Sequence, residues 1–411
     1  MRMHRYSARI ACQFLALAIA FIGTACYSHD GNGQTTSPPD PKVLEYLHAR
    51  FDAELAGYSQ EAKTDFDGLI KRWYPEPPPK ENAAETYELA FPHVLHNAKG
   101  SGNLSRFFPA SLRVPSWARF GIKKRLQKDD ESLKLLHDAA ALKHYRYPID
   151  FAQYLQGSPA QTAQGPLNHT KALRESARLL CLETLYYTDT GDTQSAAKAG
   201  YAALALCSAA ATEPDTLSQL TRAAAQLMVF MHVEDMLNRC QLNAEELKPL
   251  SEELQELDAP EAYRRAEFLG DYLLKANLDS ATKEEMRDSV ANVDPQTLAS
   301  VEAFRKEMRD ITVINDAEML AFSRTARTAV AAERFRVARG KLPETLDELV
   351  PDFLESVPVD PFDGNSIRYK KLSRGFVVYS IGKNGKDDGG DFGLMSEQRT
   401  RPPDLTFMIR R

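Results

Sequence analysis

The side chains best suited to bind a metal lie close together in Lys383-Asn384-Gly385-Lys386-Asp387-Asp388-Gly389-Gly390-Asp391. Calcium takes six to eight oxygen ligands and mixes carboxylates with backbone carbonyls. Asn384, Asp387, Asp388 and Asp391 supply the side-chain oxygens, and the intervening glycines let the chain curl so that alternate oxygens converge. With no cation the three aspartates repel one another. A solvated turn of Asx and Gly residues accounts for the same composition equally well. The sequence therefore yields one candidate metal set, Asn384, Asp387, Asp388 and Asp391, with calcium as the matching ion.

The rest of the chain holds weaker chemistry. Tyr145-Arg146-Tyr147-Pro148-Ile149-Asp150 is a polar and aromatic knot with the best claim to a pocket, although packing beneath a loop is the simpler reading. His93 and His96 share a helical face but have no third ligand nearby, so a packed or solvated pair is expected. His232 and Met236 read as core filling. Phe107, Phe108, Trp117 and Phe120, beside prolines, read as rings plugging a gap between helices. Lys123, Lys124 and Arg125 are followed by Asp129, Asp130 and Glu131, which predicts a solvated face of cancelling charge. With a formal charge of −6, no sequence-independent grip on nucleic acid is expected. No dinucleotide fingerprint, P-loop, HExxH, GxSxG, CxxC or EF-hand pattern occurs. No catalytic residue is assigned.

The elements that position these residues are mostly helical. Apolar residues recur at helical steps from Pro41 to Tyr74, and Asn82 caps a helix that Pro92 should close. Helix is expected again from Ser132 to Lys143 and through most of 171–257. Leu173, Ala177, Leu180 and Thr184 mark one face before Thr190-Gly191-Asp192 turns the chain. Ala196, Ala199, Gly200, Ala203, Leu204 and Cys207 then mark a small-residue return helix, and the pair resembles one tetratricopeptide-type hairpin. Asn243 and Glu246 form a capping box. Further helices are expected over 260–276, 295–310 and 316–339. Arg324, Arg327, Arg334, Arg336 and Arg339 in the last of these read as a solvated face, with lipid phosphate or an acidic partner as the alternative. Beyond Gly340, turn residues take over. Phe376–Tyr379 and Asp404–Ile409 read as strands, with Asp363-Gly364 and Ser373-Arg374-Gly375 as turns. The expected fold class is mostly α: a helical bundle or short α-solenoid, then a small α+β module with a three- to four-stranded antiparallel sheet. The corresponding segments are 1–26, 27–41, 42–339 and 340–411.

The C-terminal module also resembles a known family. Phe335-Arg336-Val337-Ala338-Arg339-Gly340-Lys341-Leu342-Pro343 is similar to the end of a pilin-type helix entering its turn. Asp360-Pro361-Phe362-Asp363-Gly364, Tyr369 and Tyr379-Ser380-Ile381-Gly382-Lys383-Asn384-Gly385 are similar to motifs of the major pseudopilins of type II secretion. That resemblance implies a calcium site in the last loop. Asn384 falls at the family's first loop aspartate and Asp391 near its later acidic ligand, with Asp387 and Asp388 between. In pseudopilins an apolar assembly helix precedes the module. Here a long helical body precedes it instead, so polymerisation of the pilin kind is not expected. The helical body resembles uncharacterised exported bacterial proteins.

The N-terminus reads as an export signal: Arg2, Arg5 and Arg9, then an apolar run from Ile10 to Ala25. Gly23-Thr24-Ala25-Cys26 resembles a bacterial lipobox, which implies lipidation at Cys26. Ordinary cleavage nearby and an uncleaved anchor fit as well. Residues 27–41 make a tether that cannot pack a core. Cys181, Cys207 and Cys240 are an odd set in apolar stretches and do not form a disulfide framework. These features point to an exported, envelope-anchored interaction or scaffold protein, held to the membrane by a lipid or anchor, with an unidentified protein partner. An accessory of a type II secretion or pilus-like machine and a periplasmic hydrolase working near the Tyr145–Asp150 knot are the alternatives.

Overall fold

The computed structural model describes residues 38–98, 114, 116–146, 164–213, 216–258, 261–277, 295–390 and 404–410. The expected export signal, Cys26, Asp391 and residues 147–150 of the aromatic knot lie outside them. The described residues form ten α-helices and one three-stranded antiparallel sheet, the mostly helical fold with a small α+β module that the sequence implies.

Helix α1 (Pro41–Trp73) begins where the Asp40 carboxylate accepts the Lys42 N–H at 2.8 Å, with Pro41 in the first turn. It is broken once, at Asp65, whose carboxylate re-caps the chain by accepting the Gly68 N–H at 2.8 Å. Helix α2 (Ala83–Ala98) starts on Asn82, whose side-chain oxygen accepts the Ala84 N–H at 3.2 Å. Pro92 does not close it as expected. Tyr87, Ala90, Phe91 and Val94 form a continuous buried face across the proline, and that packing outweighs one lost helix bond. Helix α3 (Ser116–Lys128) begins inside a stretch that the sequence assigns to loop, and α4 (Asp130–Ala140) follows directly.

The hairpin is formed as expected. Helix α5 (Gln164–Thr190) turns at Gly191, with φ +79°, into α6 (Thr193–Ala210), which is capped by Asp192. Ala196, Ala199, Gly200, Ala203, Leu204 and Cys207 are all buried. A Cβ placed on Gly200 would lie 3.3 Å from the Met236 methyl of α7 (Thr216–Arg239), so the small residue sets how closely the two helices approach. Helices α8 (Ala244–Glu256) and α9 (Ala262–Asn277) follow, α8 entering through the Asn243–Glu246 capping box. Cys181, Cys207 and Cys240 are buried free thiols.

The last helix, α10 (Pro295–Arg339), runs 45 residues without interruption where the sequence suggests two helices. The β-branched run around Val313 is a weak helix former, but Val313 and Ala317 pack into a core with Leu47 and Phe51 of α1. Helix α10 packs on α1, α7 and α8 and also on the sheet, so contacts are not confined to sequence neighbours as in an open solenoid. Arg324, Arg327 and Arg334 are not a solvated face, whereas Arg339 is exposed as expected. Arg324 and Arg327 both grip Asp258 at 2.9 and 3.0 Å, Arg334 donates to the Ser251 hydroxyl, and Arg339 meets Asp352. Arg336 pairs with Glu333 on its own helix.

Gly340 ends α10 with φ +73°. The chain then reaches β1 (Arg368–Lys371), β2 (Phe376–Ser380) and β3 (Leu405–Ile409), in that order across the sheet. Phe376 pairs with Ile409 and Arg368 with Tyr379. Phe376, Val378, Phe407 and Ile409 belong to the same core as Ala331, Ala332 and Phe335 of α10, so the sheet shares the core of the helical body.

Candidate metal centre

The loop after β2 is held in place by two carboxylates outside it. Asp360 is fully buried in the turn before β1. One of its oxygens accepts the Phe362 N–H (3.0 Å) and the Ser380 hydroxyl (2.8 Å). The other accepts the Ile381 N–H (3.0 Å) and the Arg368 guanidinium (2.5 Å). Burial pushes its pKa up, partly offset by the donors from Phe362, Ser380 and Ile381 and by the Arg368 charge. Arg368 also pairs with Asp363, which falls below the usual carboxylate range because Arg368 and Asn365 more than offset its own desolvation. The Tyr369 hydroxyl donates to the Pro343 carbonyl at 3.0 Å. The separate sequence motifs of this module thus meet through named bonds.

The second carboxylate is Asp404, fully buried at the entrance to β3. Its oxygens accept the Asp388 N–H at 3.4 Å and the Gly390 N–H at 2.8 Å. Burial raises its pKa, the two N–H groups pull it back, and the charges of Asp388 and Asp387 raise it again. Asp404 is the residue of this site that sequence reasoning missed. It sits across a long connection from Asp388, and no local spacing marks the pair.

Within the loop, Asn384 and Asp388 come together: the Asn384 amide donates to an Asp388 oxygen at 2.9 Å, while its own oxygen accepts the Lys386 N–H. Asp387 accepts the Gly389 N–H at 2.9 Å and lies beside Tyr379. Burial first, then the Asp387 charge, pushes the Tyr379 phenol up to about 12. Lys370 donates to the Gly389 carbonyl at 3.2 Å. Asp391 lies outside the described residues. Asn384, Asp387 and Asp388 are hard oxygen donors of the type calcium prefers, and Asp387, Asp388 and Asp404 crowd negative charge together. Each of the three loop side chains is also spent on a hydrogen bond within the loop. Among the described residues, no group of three or more His, Cys, Asp or Glu is placed to hold a metal ion. The far side of the loop meets α1: Asp40 donates its N–H to the Lys383 carbonyl at 2.9 Å, and a Cβ on Gly385 would lie 2.7 Å from Val43.

The aromatic knot does gather acid and histidine side chains. One Glu213 oxygen accepts the Tyr145 hydroxyl at 2.9 Å and also meets His169 Nε2 at 2.5 Å. Glu213 and His169 are buried, and the Phe91 ring packs edge-on against His169 at 5.3 Å. Gln219 then bonds the Glu213 carbonyl and Arg222, Arg222 bonds Gln226, and Gln226 donates to Ser323 of α10. This buried polar chain fastens α6, α7 and α10 to one another. Its side chains are enclosed, as suits a structural clamp. His93 and His96 are exposed, and Met236 is fully buried as core filling.

Comparison with known protein families, characterised proteins and solved structures returned no match. Among the described residues no helix is long and apolar enough to cross a membrane.

Proposed function

We propose that this chain is an exported, envelope-anchored helical scaffold whose C-terminal module, of the pseudopilin kind, is braced by calcium at the Asn384–Asp391 loop. One observation carries the reading. Asp360 ties the Asp-Pro-Phe turn to the Tyr-Ser-Ile-Gly end of β2, and the loop that follows rests against the first residues of α1 at Asp40. A brace at this loop therefore stabilises both the sheet and the point where the N-terminal tether joins the body. The ion would be held by the Asp387, Asp388 and Asp391 carboxylates and the Asn384 side-chain oxygen. Its charge would offset the repulsion among Asp387, Asp388 and Asp404.

The test is thermal unfolding of the full chain with calcium and with chelator, beside D387N/D388N. An ion that binds only the folded state at a hundredfold over its Kd adds about 2.7 kcal/mol. The melting temperature is expected to rise with calcium in the unmodified chain and to stay put in the double variant. Equal melting with calcium and chelator overturns the calcium brace. Recovery of the protein wholly in the soluble periplasmic fraction overturns the anchor.

A further inference from the structure

Trp117 and Phe120 of α3 are 72 and 73% exposed, where the sequence suggests rings filling a gap between helices. A gap with chemistry in it lies elsewhere, between α7, α9 and α10. It is a cavity of about 10 Å³, walled in part by Arg222 and Gln226 of α7, Tyr263 of α9, and Asp316, Leu320 and Ser323 of α10. All six side chains are buried, and the most exposed of them, Asp316, reaches only 8%.

Two opposite charges line this cavity without forming an ion pair. Arg222 donates from Nε to Gln219 at 2.7 Å and from Nη1 to Gln226 at 2.9 Å, both neutral partners. A guanidinium has five N–H groups, so three remain uncommitted among the described residues. Asp316 takes Arg264 on Oδ2 alone, at 2.9 Å, which leaves Oδ1 uncommitted among the described residues. Arg264 pairs in turn with Glu54 of α1. Burial pushes the Asp316 pKa up, and Arg264 first, then Arg222, pull it back, so the Arg222 charge acts on Asp316 from beyond contact. One polar network, from Glu213 through Gln219, Arg222 and Gln226 to Ser323, thus reaches the cavity from one side. Another, from Glu54 through Arg264 to Asp316, reaches it from the other.

We infer that the cavity is a binding site for one structural water, which accepts from the Arg222 guanidinium, donates to Asp316 Oδ1 and joins the two polar networks into one. Size and charge both select water. A cavity this small has room for one water, and buried waters bond to polar groups that lack other partners. A halide ion would answer Arg222 but would lie beside the Asp316 carboxylate, and the set Arg222, Arg264, Asp316 and Glu54 is already neutral. The two ends meet here because Asp316 and Ser323, seven residues apart, share one face of α10. The joined network couples α1, the helix that follows the tether, to the end of the α5–α6 hairpin. The inference depends on neither the calcium brace nor the N-terminal anchor.

Crystals of the full chain grown in sodium bromide identify the occupant. The expected density is a single water within about 3.2 Å of an Arg222 nitrogen and of Asp316 Oδ1, with no anomalous peak. A bromide peak at that place overturns the water in favour of an anion. Absence of density, or Arg222 in direct contact with Asp316, overturns the bridge. Urea unfolding of R222Q, D316N and R222Q/D316N tests the coupling in solution. With the charges joined through the water, the unfolding constant of the double variant should be about tenfold smaller than the product of the single effects predicts. Single effects that simply multiply overturn the joined network, even where a water is seen. The crystal needs no substitution, so it decides the site even if R222Q does not fold.

Discussion

Ser380 donates its hydroxyl to the buried Asp360 carboxylate at 2.8 Å, which locks the end of β2 to the turn that precedes β1. Three further donors converge on the same carboxylate, from Phe362, Ile381 and Arg368. Asp360→Ala would strand these donors in a buried site and leave Arg368 with Asp363 alone. The expected loss is about 3–5 kcal/mol, the usual scale for removing one partner of a buried charge pair. Asp360→Asn keeps an acceptor oxygen and should lose less. Denaturant unfolding of both variants checks this, and near-equal losses would mean that the retained acceptor contributes little and that the lost charge opposite Arg368 carries the effect.

Glu234 on α7 supplies a pH dependence. Its carboxylate accepts the Met408 N–H at 2.6 Å, while Asn238, one turn on, donates to the Met408 carbonyl and accepts the Arg410 N–H. The two side chains thereby satisfy the outer edge of β3. Burial pushes the Glu234 pKa up to about 7. The Met408 N–H and Arg410 oppose that shift, and Asp235 adds to it. The folded pKa is raised above the unfolded value of 4.5. The stability linked to Glu234 is therefore fully present below about 4.5 and is lost as pH rises through about 7. Asp316, Asp360, Asp404 and Glu253 are displaced in the same direction by burial, so the difference between the unmodified chain and E234Q isolates this group. E234Q keeps an acceptor for Met408. It is expected to gain in relative melting temperature from pH 5 to pH 8. A constant difference across that range would place the titration elsewhere.

What could be read in advance followed from local chemistry. Asn82 and Asn243 cap helices because a short polar side chain before an apolar period has one obvious use. The small residues of α6 and the turn glycines at 340, 364 and 375 were legible for the same reason. Elements decided by distant packing were not. The joint between the two expected helices vanished because Val313 and Ala317 meet Leu47 and Phe51, which lie far away in sequence. Pro92 sits inside α2 because Phe91 and Val94 pack on partners that the local pattern does not announce. In the candidate site the loop donors were visible, whereas Asp404 and the role of Asp360 depend on pairings across the sheet.

Gly375 makes the β1–β2 turn possible in two separable ways. Its φ of +93° disfavours any L side chain, and a Cβ there would stand 1.8 Å from the Ile409 carbonyl oxygen. Gly191 has a comparable φ of +79° with nothing within 4 Å, so it isolates the conformational part. Gly191→Ala should cost about 1 kcal/mol and leave the sheet intact. Gly375→Ala must also push β3 away from β2 and should cost at least about 3 kcal/mol. Amide exchange should accelerate at Phe407 and Ile409 in Gly375→Ala only. Equal destabilisation by the two substitutions would contradict the Phe376–Ile409 pairing.

Asp258 is the residue through which the long helix holds the end of α8. It is nearly buried and carries Arg324 on one oxygen and Arg327 on the other, both themselves mostly covered. Arg324 also reaches the Val359 carbonyl at 2.5 Å, so the same guanidinium touches the segment leading into the Asp360 turn. Removing the carboxylate leaves two adjacent guanidinium groups, three residues apart on one helix face, with no charge between them. Asp258→Asn is therefore expected to cost more than an exposed ion pair, about 2–4 kcal/mol against the 0–1 kcal/mol typical at a surface. Asp258→Asn/Arg327→Gln should recover part of the loss, because the like-charge contact disappears while Arg324 keeps its bond to Val359. Urea unfolding of the single and double variants decides it. A double variant no more stable than the single would show that the loss comes from packing at the end of α8 and not from the arginine pair.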